Sequence, residues 1–293
     1  MYTRQTFLAP AKINLFLHIV GVREDGYHLL QTVFQLLDFY DRIHLKVTED
    51  GAIKRTNEVA GVPESNDLCI RAAKLLKTHT QTKLGVEISV EKNIPMGGGL
   101  GGGSSDAATV LLALNRLWNL KLDRKTLMHL GLKLGADVPF FIFGQNSWGE
   151  GVGERLSSIT LVENYYVVLN PKVHVSTSQI FANKQLTKNT IPKRMSDFSS
   201  TANSAVRFEQ SNVKLSFINQ LEKCVCDDYP KVSACLNWLK KFGDARMTGS
   251  GASVFLEVRT EQDARKILQQ IPSDMQGFVA KGLNRHPLYE FTD

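Results

Sequence analysis

The stretch Pro95-Met96-Gly97-Gly98-Gly99-Leu100-Gly101-Gly102-Gly103-Ser104-Ser105-Asp106 is where the residue types and their spacing most plainly point to chemistry. It packs six glycines into twelve residues. Glycine lets a backbone approach a ligand closely and adopt positive φ. A helix starting behind such a loop presents unpaired N–H groups and the positive end of its dipole, and both suit a phosphate. Ser104 or Ser105 reads as the N-cap of that helix, and either hydroxyl can also reach a phosphate or its metal. The bland alternative is a flexible linker, but linkers do not usually run straight into an apolar helix.

The flanking segments supply the frame. Val86-Glu87-Ile88-Ser89-Val90-Glu91 alternates apolar and polar residues and predicts a half-buried strand. Ala107 to Asn115 predicts a deeply buried helix, because its surface is almost wholly apolar. Three known glycine loops can be compared with this unit. A Walker A loop ends in Gly-Lys-Ser/Thr, and the chain has no Gly-Lys dipeptide. Gly97, Gly99 and Gly102 fit the dinucleotide pattern G-x-G-x-x-G, with Asp123 as the acid about twenty residues on. That acid should end a second strand, whereas Asp123 follows a helix. A protein-kinase loop needs H-R-D and D-F-G downstream, and neither is present.

Size and composition narrow the field. At 293 residues the chain has room for two domains, and its 43% apolar content can fill packed cores. Thirty-five basic residues against 29 acidic give +6, scattered rather than clustered, which speaks against nucleic-acid binding and suits a protein that handles polyphosphates. Cys69, Cys224, Cys226 and Cys235 lack C-x-x-C spacing and read as ordinary reduced thiols. Lys12 and Asn14 interrupt the apolar run near the start, so no signal peptide or membrane span is expected and a cytoplasmic location is.

Read in order, Ala11 to Val20 predicts a strand with Ile13, Leu15, Leu17 and Ile19 on one face. Lys12 and Asn14 then share the other face, which by pattern alone is a solvated edge. Gly26-Tyr27-His28 follows a charged turn, and strand character continues from Val33 to Val47. Asn66 or Asp67 caps a helix from Cys69 to His79. Leu127 to Leu134 is a helix closed by Gly135. Asp137, two residues ahead of Pro139, reads locally as a plain N-cap. Trp148 to Glu154, with glycine at every second position, reads as a bent strand near a domain boundary. Then come a strand from Tyr165 to Asn170, a polar excursion from Lys184 to Asn203, and helices around Val213–Cys224 and Lys231–Lys241. Thr248-Gly249-Ser250-Gly251 feeds a strand from Val254 to Val258, Glu261 to Ile271 is a helix, and Gly277 to Gly282 is a last strand. The second half thus reads as a ferredoxin-like α+β layer.

The full dodecapeptide resembles the glycine-serine motif of the small-molecule kinase superfamily that includes galactokinase, homoserine kinase and mevalonate kinase. In its long form, Pro-Met ahead and Gly-Gly-Gly-Ser-Ser-Asp-Ala-Ala behind, it is similar to the branch acting on a diphosphocytidyl methylerythritol. The resemblance runs over essentially the whole chain. It implies an α+β, two-domain fold: an ATP-binding domain over residues 1–160, of the kind seen in ribosomal S5 domain 2, and a ferredoxin-like domain over residues 161–293. It also implies an ATP- and Mg²⁺-dependent kinase of non-mevalonate isoprenoid precursor synthesis, phosphorylating the tertiary 2-hydroxyl of its acceptor. Residues 95–103 with Ser104 and Ser105 then hold ATP, the two serines also being metal ligands, and Asn66 and Leu68 lie beside the adenine. Pro10-Ala11-Lys12-Ile13-Asn14-Leu15 matches the first motif, whose Lys12 and Asn14 face the reacting hydroxyl. Gly135-Ala136-Asp137-Val138-Pro139 matches the loop that bears the general base, Asp137. Lys12 beside it favours the carboxylate form and steadies a developing alkoxide. Tyr27 stacks on cytosine, His28 bonds its edge, and Phe181 closes the opposite side. Thr177, Gly249 and Ser250 complete the acceptor side, the last two through a motif that approaches the phosphates from the second domain.

The expected partner is a small molecule bearing a cytidine diphosphate, with no nucleic acid and no membrane, and the chain is expected to be a monomer or weak homodimer. Three rival readings make distinct predictions. A homoserine or mevalonate kinase shows no preference for a cytidine-bearing acceptor. An NAD(P)-dependent oxidoreductase releases no ADP. A nucleotide-binding module without catalysis has no use for Lys12 facing Asp137.

Overall fold

The computed structural model describes residues 3–183, 186, 190–192 and 218–292. Two long strands form its spine. β1 (Gln5–Val22) pairs antiparallel with β2 (His28–Thr48), setting Lys12 opposite Leu36 and Asn14 opposite Phe34. The strand forms as predicted, but register shifts between Asn14 and Leu17 and between Ile19 and Gly21 interrupt its alternation, and the whole segment from residue 9 to 19 is buried, the polar face included. The solvated-edge reading of Lys12 and Asn14 therefore fails: each is only 3% exposed.

β2 also pairs with β4 (Gly85–Glu91), which in turn takes the short parallel strand β3 (Ile53–Arg55). Its first half pairs with β5 (Ser147–Gly151), the start of a hairpin completed by β6 (Arg155–Ser158). Gly151 and Gly153 supply the positive φ angles of that hairpin turn, so the predicted bent strand is two strands and a turn.

Four helices belong to the first half: α1 (Leu68–Thr80), α2 (Gly102–Leu117), α3 (Arg124–Leu132) and α4 (Val138–Phe143). Asp67 caps α1 by accepting from the Cys69 N–H at 2.8 Å. Every residue of α2 from Ser105 to Asn115 is buried, as its apolar surface requires. Asp123, the acid a dinucleotide loop would need, instead caps α3 through the Thr126 N–H at 2.8 Å. That helix starts earlier than predicted and ends at Leu132 rather than at Leu134.

In the second half, β7 (Tyr165–Asn170) lies between β9 (Val254–Val258) and β10 (Gln276–Leu283), with β8 (Arg246–Met247) beyond β9. α5 (Thr177–Phe181) follows β7, while α6 (Glu222–Asp228), α7 (Pro230–Leu239) and α8 (Glu261–Leu268) fill in the layer. The helix predicted around Val213–Cys224 is observed only from Glu222 and continues to Asp228; its beginning, and most of the Lys184–Asn203 excursion, lie outside the described residues.

The halves share one sheet. β10 meets β2 at Gly282–Leu37 and Leu283–Leu36. Ile13, Leu15, Phe16 and Leu100 from the first half bury against Tyr166, Val168 and Phe255 from the second. After β10 the chain returns to the first half, where Phe291 packs edge-on against Phe7 at 6.0 Å. The four cysteines are free thiols, and burial pushes Cys226 and Cys235 up to about 11. None is a ready nucleophile.

Candidate active site

The glycine loop leaves β4, crosses Ile94 and Pro95, and enters α2. Gly97, Gly99 and Gly101 all take positive φ, between 67° and 74°. Gly101 occupies the N-cap position of α2, with φ 73°, and makes no side-chain cap bond. The expectation that Ser104 or Ser105 caps the helix is thus incorrect. A left-handed glycine turns the chain into the helix three residues sooner, placing both serines inside its first turn.

Contacts from both halves fix the loop. The Lys12 N–H donates to the Leu100 carbonyl at 3.0 Å, and the Ser253 N–H donates to the Gly98 carbonyl at 3.0 Å. A Cβ at Gly99 would lie 2.5 Å from the Thr248 carbonyl oxygen, so the second-half loop comes as close as backbone can. The same loop reaches β1, where the Asn14 N–H donates to Thr248 Oγ1 at 2.8 Å.

Lys12 projects from β1 beneath this loop. Its Nζ donates to Asn14 Oδ1 at 2.7 Å and lies 3.3 Å from Asp137 Oδ2. Asn14 Nδ2 is held in turn by Thr32 Oγ1 at 2.8 Å. Asp137 stands at the N-cap of α4 yet makes no side-chain cap bond, so its carboxylate is turned to Lys12 instead. The lysine side chain is 4% exposed and the aspartate side chain 36%, which leaves the carboxylate as the accessible partner.

Two of the cavities around the loop have it as a shared wall. The smaller, of 390 Å³, is lined by residues 95–104 together with Asn66, Leu68, Lys92 and Asp106. The larger, of 940 Å³, is lined by Lys12, Asn14, Tyr27, His28, Asp137, Thr177, Phe181, Gly249 and Ser250. Gly97, Gly99, Gly101 and Ser104 line both, so the loop is their common wall. Within the larger cavity, the Phe181 ring lies 5.2 Å from the His28 ring, Tyr27 is 64% exposed, and Thr177 Oγ1 and Ser250 Oγ are 2.7 Å apart.

Two family models match the chain: the GHMP kinases N terminal domain over residues 67–145 and the GHMP kinases C terminal over residues 202–277. A protein of Nitrosospira multiformis named 4-diphosphocytidyl-2-C-methyl-D-erythritol kinase is 54% identical over 97% of this chain and 93% of its own length. A Thiobacillus denitrificans protein of the same name is 53% identical over 98% of each chain. The chain belongs to the 4-diphosphocytidyl-2-C-methyl-D-erythritol kinase branch of the GHMP kinases. A crystal structure of a 4-(cytidine 5'-diphospho)-2C-methyl-D-erythritol kinase superposes with a TM-score of 0.78 at 31% identity, covering 95% of this chain and 99% of that one. A mevalonate kinase structure superposes at 0.65 with 16% identity, covering 96% and 100%, and shares the fold alone.

In this GHMP kinase the glycine loop, Asn66 and Leu68 gather on the smaller cavity, and the residues expected on the acceptor side gather with Lys12 and Asp137 on the larger. Ser105 joins neither: it is fully buried, and its hydroxyl has no partner among the described residues.

Several lining residues escaped the sequence reading. Lys92 closes the smaller cavity, held by Asp41 and by Asp106 Oδ2, the latter at 2.7 Å. Burial raises the Asp106 carboxyl above its ordinary range, opposed by Lys92 and reinforced by Asp41. Burial also works against the Lys92 ammonium, but the two carboxylates outweigh it and hold its pKa above the ordinary value. A lysine three residues ahead of Pro95 was the available signal. Val152 and Gly153, at the β5–β6 turn, line the larger cavity, as does His174. His174 carried no signal, since nothing in a loop after a strand marks one histidine for a site.

Proposed function

We propose that this GHMP kinase transfers the γ-phosphoryl group of ATP to the 2-hydroxyl of 4-diphosphocytidyl-2-C-methyl-D-erythritol, with Asp137 as the base. The carrying observation is the Lys12–Asp137 contact of 3.3 Å opening into the larger cavity, with the glycine loop as the wall it shares with the smaller one. A kinase must bring a triphosphate and an alcohol together from two sides, and two cavities that share a phosphate-type loop provide that arrangement.

The adenine is assigned to the smaller cavity beside Asn66 and Leu68, and the phosphates to the loop N–H groups and the start of α2. The cytosine is assigned to Tyr27, His28 and Phe181 in the larger cavity, which places the methylerythritol end toward Asp137. Asp137 accepts the hydroxyl proton as the alcohol oxygen bonds to the γ-phosphorus and the bond to ADP breaks. Lys12, buried against the carboxylate, meets the charge developing on the alcohol oxygen, and Asn14 keeps its ammonium in place.

Magnesium binds through few protein oxygens plus substrate phosphates and keeps several waters, and Ser104, facing both cavities, fits that requirement. When bound, the ion neutralises charge on the phosphate oxygens. Ser104 is accordingly assigned as its hydroxyl ligand, while the buried Ser105 must turn outward to contribute.

A coupled ADP-release assay with 4-diphosphocytidyl-2-C-methyl-D-erythritol, homoserine and mevalonate tests the reading. Turnover with the first alone is expected. Equal or better turnover with either of the others overturns the acceptor assignment.

A further inference from the structure

We propose that His174 is a specificity-determining residue that donates a hydrogen bond to the diphosphate of the acceptor. This rests on the acceptor assignment above. An acceptor with its base at Tyr27 and His28 and its alcohol at Asp137 must lay the linking diphosphate across the larger cavity between them. Among the described residues, the lysine and histidine side chains lining that cavity are Lys12, His28 and His174, and no arginine lines it. Lys12 is buried and committed to Asp137 and Asn14, and the His28 ring packs against Phe181. That leaves His174, whose side chain lies against the glycine loop.

The position is built. The Lys172 N–H donates to Asn170 Oδ1 at 2.8 Å, and Asn170 Nδ2 donates to Ser253 Oγ at 3.0 Å, which fixes the turn after β7. Val175, the next residue, is buried in the second-half core, and Ser176 caps α5. His174 is held between those two anchors. Its Nδ1 sits where a Cβ at Gly97 would come within 2.6 Å, so the loop needs glycine there both for φ 67° and to admit the imidazole. His174 lines the larger cavity and a neighbouring groove but not the smaller cavity, which puts it on the acceptor side of the loop rather than with ATP.

The test is calorimetric titration of wild type, His174→Ala and His174→Gln with cytidine 5'-diphosphate and with cytidine. Wild type is expected to prefer the diphosphate. His174→Ala should lose about 10- to 100-fold in affinity for the diphosphate, the worth of a hydrogen bond to a charged group, and keep its affinity for cytidine. His174→Gln, which retains a donor, should recover part of the loss. The KM for ATP should not move. If wild type prefers the diphosphate and His174→Ala keeps that preference, or loses both ligands equally, the His174 assignment is overturned while the acceptor reading stands. If wild type binds neither ligand, the cytidine slot itself fails and this proposal falls with it.

Discussion

Lys12 Nζ and Asp137 Oδ2 stand 3.3 Å apart, the ammonium buried and the carboxylate open to the larger cavity. One comes from the middle of a long strand and the other from the start of a short helix. Lys12→Gln keeps a donor toward Asn14 but removes the charge. Its turnover is expected to fall by about 10²–10³-fold, the usual cost of losing one preorganised electrostatic partner, with ATP affinity unchanged. Single-turnover kinetics and nucleotide titration check this, and a matching loss of ATP affinity would move Lys12 to the nucleotide.

The proposed cytidine slot makes a separate prediction. Tyr27→Ala and His28→Ala should raise KM for the acceptor and leave KM for ATP alone. Loss of base stacking on Tyr27 is expected to cost about 1–3 kcal/mol of acceptor binding. Parallel weakening of both substrates would count against this slot.

Gly99→Ala tests the seam between the halves. A Cβ there meets the Thr248 and Gly251 carbonyl oxygens at 2.5 and 2.9 Å, on a backbone with φ 74°. Neither neighbour is a flexible side chain, so the loops must part. Stability should fall by more than about 1 kcal/mol, and kcat/KM should fall with it, read by thermal unfolding and steady-state kinetics.

His286 ties the returning C-terminal segment to the first half: its N–H donates to the Gly144 carbonyl, and its Nδ1 accepts from the Leu288 N–H at 3.0 Å. Burial first, and then the Arg124 guanidinium, push this imidazole down to about 3. The unfolded chain, near the ordinary value of about 6.5, therefore binds the proton first as pH falls. The stabilising neutral form is fully present above about pH 6.5 and is lost progressively toward pH 3. His286→Asn should show a shallower loss of Tm over that window, and an identical slope would remove His286 as the cause.

How much of this was legible beforehand differs from residue to residue. The glycine loop, its strand and its buried helix could be read locally, because alternation and an all-apolar surface are properties of neighbouring residues. Asp67 was readable as a cap for the same reason, whereas Asp123, weighed only as a dinucleotide-loop acid, proved to be one. The role of Asp137 was not legible, since its local pattern is that of a cap, and only the packing of α4 on α2, with Phe140 stacked on Phe34 of β2, brings the carboxylate to Lys12. The burial of Lys12 was hidden too: alternation says which face a residue shares, not what covers that face. The N-cap was missed because a left-handed glycine competes with serine for the position. His174 lay beyond sequence reading altogether, because its meaning comes from contact with Gly97.

Most direct is the comparison of Asp137→Asn with wild type, measuring turnover and ATP affinity on the same preparations. The isosteric amide should leave folding and ATP affinity intact and lower kcat by about 10²–10⁴-fold, the range of a positioned base. Near-normal kcat in a folded, ATP-binding variant would contradict the account.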